Sequence, residues 1–108
     1  MMKNALLFIF LASFGFTVWA DPAMLIDVRT DAEYYDGHAT GASNIPYESV
    51  AYELEKQGIS KDTPIYLYCR SGRRATYAKG FLEQAGYSSV TNLGSLGEAE
   101  AFLEKNPL

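Results

Sequence analysis

Ile65-Tyr66-Leu67-Tyr68-Cys69-Arg70-Ser71-Gly72-Arg73-Arg74-Ala75 is the stretch that decides how this 108-residue chain is read. It opens on a short apolar and aromatic run, the pattern of a buried strand. The chain's one cysteine follows, then a loop with three arginines, a serine and a glycine. Beyond it the period becomes helical, with Ala75, Ala78, Phe81, Leu82 and Ala85 predicted on one inward face. A strand that ends in cysteine and turns at once into a helix brings the sulfur to the helix N-terminus. Backbone N–H groups without intrahelical partners point outward there, and the dipole is positive. Together with the arginines they favour an ionised sulfur and any anion brought to it. Cations at a helix start oppose the dipole, so the cluster calls for a compensating anion. The stretch reads as a nucleophile, Cys69, in an anion cradle.

The flanking elements follow from period and punctuation. Upstream, Met24 to Val28 is a β-rich run and the first strand of the predicted sheet. Thr30 and Glu33 have capping-box spacing, and Gly37 stops the short helix they start. The run 41–46 is a turn into a brief extended segment. Ser49 to Gln57 has helical spacing with Val50 and Leu54 inward, and Gly58 closes it. Downstream, the helix Arg73 to Gln84 ends at Ala85-Gly86. A strand over Ser89 to Leu93 and an amphipathic helix over Leu96 to Lys105 complete the chain. Strands separated by helices imply right-handed crossovers, hence an α/β fold with a central parallel sheet flanked by helices on both sides.

Residues 1–20 read as a cleaved signal peptide. Lys3 gives a basic start, Ala5 to Val18 an apolar run, and Val18-Trp19-Ala20 a cleavage pattern. The run is shorter than the ~20 residues that span a bilayer. The expected mature domain is therefore 21–108, periplasmic or secreted, with no stable membrane association after processing. Losing Lys3 takes the formal charge from −4 to about −5. An acidic domain is poorly suited to nucleic acid. Its cations instead gather beside Cys69. Export implies an oxidising compartment, yet one cysteine cannot close an internal disulfide, so the thiol is reactive or buried and inert.

Several motifs together match one family. Asp27-Val28-Arg29, Glu33, Gly37-His38 and Gly41-Ala42-Ser43-Asn44-Ile45-Pro46 resemble the N-terminal signature of single-domain rhodaneses. Cys69-Arg70-Ser71-Gly72-Arg73-Arg74 resembles their active-site loop. Ala85-Gly86-Tyr87, a strand and Leu93-Gly94 resemble their C-terminal part. The sequence departs from the family at Ala39-Thr40, Gly94-Ser95 and Ala75, positions that bear on substrate preference more than on the nucleophile.

The resemblance implies a small rhodanese-like domain with thiosulfate sulfurtransferase activity and no metal or cofactor. Cys69 would attack the outer sulfur of thiosulfate and carry it as a persulfide to cyanide, a small thiol or a protein thiol. Arg70, Ser71, Gly72, Arg73 and Arg74 would bind substrate. Their backbone N–H groups would hold the sulfur, Arg73 or Arg70 the donor dianion, and Arg74 would brace the loop. Asp27 and Arg29 share one strand face and are expected to support the site as an ion pair rather than act in catalysis. His38, the only histidine, is expected to make a structural hydrogen bond in its Gly-His turn.

Two other classes share parts of this pattern. Cysteine-dependent phosphatases and arsenate reductases need five residues between cysteine and arginine to wrap a tetrahedral oxyanion. Here Arg74 follows after four and Ala75 stands in the arginine's place. A non-catalytic carrier of sulfane sulfur would keep the same loop, and only turnover with an acceptor separates it from an enzyme.

Overall fold

Four strands and four helices alternate along residues 22–108, the part of the chain that the computed structural model describes. The expected signal peptide lies outside the described residues. In order the elements are β1 (Met24–Asp27), α1 (Asp31–Asp36), β2 (Ser43–Asn44), α2 (Val50–Lys56), β3 (Ile65–Cys69), α3 (Arg73–Gln84), β4 (Val90–Ser95) and α4 (Leu96–Lys105). All strand pairs are parallel and the sheet order is β2-β1-β3-β4. β1 and β3 are therefore central, and their C-terminal ends lie side by side, with Asp27 opposite Tyr68.

Alternation along the central strands divides the interior into two layers. Ile26, Val28, Ile65, Leu67 and Cys69 face α2 and α3, which contribute Val50, Leu54, Ala75, Ala78 and Leu82. Leu25 and Tyr68 face the other way, toward Ala39, Ala42 and Ala99 of α4. The helices thus cover both faces of the sheet, as the alternating pattern implies. Alanines at 75 and 78 let the backbone of α3 approach β3 closely, which sets the start of α3 next to the end of that strand. Phe81 departs from the expected inward face and is 42% exposed. It stands about 100° around the helix from Leu82, at the margin of the apolar stripe. Here the stripe is narrow because alanines fill it.

Local chemistry explains where the elements begin. Thr30 caps α1 in a complete capping box with Glu33, as the spacing predicts. Ser95 and Glu98 form a second one at the start of α4. β4 runs on to Ser95, two residues past its expected end, because the ladder slips between Leu67 and Cys69. Asn92 folds back there, its Oδ1 accepting the Gly94 N–H at 2.8 Å.

Candidate active site

The sulfur of Cys69 sits at the junction that the sequence points to, between the last residue of β3 and the first turn of α3. The side chain is fully buried, and Sγ accepts the Gly72 N–H at 2.9 Å. Gly72 is the N-cap of α3 with φ +96°, a left-handed conformation that side chains disfavour. A Cβ there would also lie 3.3 Å from Cα of Gly94, so loop and bulge meet backbone to backbone. A Cβ on Gly94 would in turn run into the Glu98 carboxylate. The loop is therefore built around two glycines that hold it against β4.

The predicted loop residues divide into two groups. Ser71, Arg70 and Arg73 are exposed at the rim, and neither arginine pairs with a carboxylate among the described residues. Arg74 turns the other way. Its two terminal nitrogens donate to the Glu33 carboxylate at 2.8 and 3.0 Å, a bidentate pair that ties α3 to α1. An open groove of about 710 Å³ adjoins the loop, lined by Ser71, Gly72, Arg73, Tyr77, Asn92 and Glu98 among others. Cys69 is not among its lining residues. A second groove of about 680 Å³ runs between Leu25, Thr40 and the end of α4, where no predicted site residue lines it.

Asp27 and Arg29 form the ion pair that their shared strand face suggests. Both are buried, with Arg29 Nη2 2.6 Å from Asp27 Oδ2. The Tyr68 hydroxyl donates to the same carboxylate at 2.7 Å and accepts the Ala39 N–H at 3.0 Å. Arg29 also reaches the Gly37 carbonyl at 2.7 Å. Burial pushes the Tyr68 hydroxyl well above the ordinary phenol range, so it stays a donor to Asp27. The hydrogen bond to Asp27 likewise raises the Arg29 guanidinium above its ordinary value. This network fixes residues 37–39 to the ends of β1 and β3. His38 is held by Tyr34, its Nδ1 donating to the Tyr34 carbonyl at 2.9 Å and its ring stacked on the tyrosine.

Three residues that matter to this geometry carry no sequence signal for it. Tyr68 reads as strand packing, and its partnership with Asp27 follows only from the register of β1 on β3. Glu33 reads as a capping residue, and its second partner lies 41 positions away. Asn92 reads as one residue of a strand. Its Nδ2 donates to the Gly72 carbonyl at 3.0 Å and to Thr76 Oγ1 at 3.1 Å.

The Arg74 tether has a pH signature. Arg74 beside Glu33 holds that carboxyl at about 2, down from the ordinary 4.5, with the Thr30 contacts assisting and burial opposing. A carboxyl depressed in the fold stabilises it above the unfolded pKa and loses that contribution as pH falls through the folded value. The tether is thus fully present above about 4.5 and fades toward 2. NMR titration of the Glu33 carboxyl is expected to show a midpoint near 2 in the native protein, returning toward 4.5 in Arg74→Met. A native midpoint at about the unperturbed carboxylate value would contradict the pairing.

Fold and site together define a class: small parallel α/β domains with a single thiol buried at a strand–helix junction under an arginine-bearing loop. The chain belongs to the rhodanese-like domain family, whose signature matches residues 17–97. It is 37% identical over 71 residues to thiosulfate sulfurtransferase PspE of Escherichia coli (strain K12), a match covering 66% of this chain and 68% of that protein. A protein named sulfurtransferase from Allochromatium vinosum is 36% identical over 73 residues, covering 68% of this chain and 66% of its own length. Among solved structures, a rhodanese with anions from E. coli superposes with a TM-score of 0.66 at 34% identity. That match covers 70% of this chain and 89% of the other.

Proposed function

We propose that the protein is an exported sulfurtransferase that moves a sulfane sulfur from thiosulfate to a thiophilic acceptor through a persulfide on Cys69. The observation that carries this reading is the Gly72 N–H directed at Cys69 Sγ, at a helix start whose Arg70 and Arg73 have no carboxylate partner among the described residues. Such a site stabilises negative charge on sulfur and receives an anion beside it. The sulfurtransferase name of the E. coli and Allochromatium relatives supports the same chemistry.

In the first half-reaction the Cys69 thiolate forms a bond to the outer sulfur of thiosulfate. The S–S bond of the donor breaks, and its electron pair departs with sulfite. In the second, cyanide or a thiolate attacks the terminal sulfur, the persulfide bond breaks, and Cys69 returns as thiolate. Arg70 and Arg73 offset the donor's charge at the rim, Ser71 lies beside them, and the loop N–H groups hold the sulfur anion. Arg74 acts through Glu33 by fixing the loop, and the Asp27–Arg29 pair supports the strand ends beneath it. Residues 1–20 direct export and are removed after Ala20, leaving the domain 21–108.

A phosphatase reading meets an obstacle in the fold. Ala75, in the place such a loop needs arginine, is buried in the core, and Arg74 is committed to Glu33. A donor screen on the exported protein tests the assignment, comparing thiosulfate, mercaptopyruvate and an aryl phosphate with cyanide as acceptor. Thiosulfate is expected to be the best substrate and phosphate release negligible. Faster turnover of the aryl phosphate would replace this reading with the phosphatase one. Sulfur uptake without turnover by any acceptor would make the protein a carrier.

A further inference from the structure

Asn92 lies on β4, outside the cysteine loop, yet its side chain makes three hydrogen bonds that converge on it. Nδ2 donates to the Gly72 carbonyl at 3.0 Å and to Thr76 Oγ1 at 3.1 Å, while Oδ1 accepts the Gly94 N–H at 2.8 Å. Thr76 adds its own hydroxyl and N–H to the same Gly72 carbonyl, each at 3.0 Å. That carbonyl therefore receives three donors. It belongs to the peptide unit whose N–H is Arg73's, and a planar trans peptide directs C=O and N–H oppositely. Holding the carbonyl toward the body of α3 aims the Arg73 N–H out of the helix start, the side on which Cys69 precedes it. The neighbouring Gly72 N–H already meets Sγ.

The helix alone would orient this peptide through the Thr76 N–H. Asn92 adds a tie from another element, one that also sets the bulge bringing Gly94 against Gly72. We infer that Asn92 is a positioning residue for sulfur transfer: its amide clamps the Gly72–Arg73 peptide at the start of α3, next to the Gly72 N–H that meets the sulfur of Cys69. The inference rests on the sulfurtransferase reading for its catalytic consequence, and on geometry alone for the clamp. Preorganised N–H donors are most effective when they need not reorganise as charge develops, so loosening the clamp should weaken turnover more than substrate binding.

The test uses Asn92→Asp and Asn92→Ala in the full mature protein. Asn92→Asp keeps the Oδ1 acceptor for Gly94 and the side-chain shape but removes the Nδ2 donor. Asn92→Ala removes the donor and the Gly94 acceptor together, without adding charge. In both, kcat with thiosulfate is expected to fall roughly ten- to a hundredfold with KM changed less than about threefold. Any sulfur adduct on Cys69 should also decay faster without acceptor. Amide hydrogen exchange at Gly72 and Arg73, measured without substrate, should accelerate relative to the rest of α3. Unchanged exchange at both amides in Asn92→Asp would overturn the clamp, and wild-type kcat in that variant would overturn its role in sulfur transfer. An Asn92→Ala chain that fails to fold leaves the Asn92→Asp comparison to decide. If the wild-type protein takes up no sulfur at all, the sulfurtransferase reading falls, and exchange still decides whether Asn92 holds the loop.

Discussion

Replacing Cys69 with serine is expected to lower sulfur transfer by at least about a thousandfold while leaving the fold in place. The reaction needs an atom that bonds sulfur reversibly and departs as a stable anion, and a hydroxyl at neutral pH does neither. Serine is close to cysteine in size and its oxygen can still accept the Gly72 N–H, so the loop keeps its partner. The chain has no other cysteine, so no second thiol can supply residual turnover. Circular dichroism and a thiosulfate–cyanide assay on one preparation decide the outcome. A folded Cys69→Ser protein with appreciable turnover would remove Cys69 from the mechanism.

The largest effect on stability is expected at Asp27. Its carboxylate is fully buried and accepts from the Arg29 guanidinium, the Arg29 N–H and the Tyr68 hydroxyl. Among the described residues no buried side-chain polar atom lacks a partner, so the network is complete as it stands. Asp27→Ala strands a buried guanidinium and takes away the Tyr68 acceptor together. Breaking a buried pair from one side costs about 3–5 kcal/mol, a large part of the ~5–15 kcal/mol available to a small domain. Urea unfolding of Asp27→Ala should therefore show a much earlier midpoint. The double variant Asp27→Ala/Arg29→Met should recover part of the loss, since no unpaired charge remains. A loss of under about 1 kcal/mol in Asp27→Ala would mean that Arg29 reaches water when its partner is gone.

What the sequence discloses about this protein divides along the range of the interactions involved. The helix over Arg73–Gln84 is legible because Ala85-Gly86 ends it and alanines mark its inner face. The capping box at Thr30 and Glu33 is legible because its partners are three residues apart. Cys69 at the strand–helix junction is legible for the same reason: strand, thiol and helix start are contiguous. Phe81 misleads because period alone does not say how wide an alanine-filled stripe must be. Contacts across elements are silent until the strand order is known. Tyr68 meets Asp27 only because β3 lies beside β1, and Arg74 meets Glu33 only because α1 and α3 converge at the strand ends. Asn92 is the clearest case, since neither its type nor its neighbours mark it as a support for a loop twenty residues earlier.

In the proposed reaction Cys69 carries sulfur as a covalent intermediate. With no second thiol in the chain, the persulfide cannot be discharged as an internal disulfide and should persist until an acceptor arrives. Intact-mass measurement of the protein expressed with residues 1–20, incubated with thiosulfate and no acceptor, is the test, and it also reports whether the proposed cleavage after Ala20 occurs. The expected spectrum is a chain beginning at Asp21 that gains the mass of one sulfur atom, loses it on addition of cyanide, and shows no gain in Cys69→Ser. Steady turnover of thiosulfate with no sulfur adduct at any donor concentration would contradict the account.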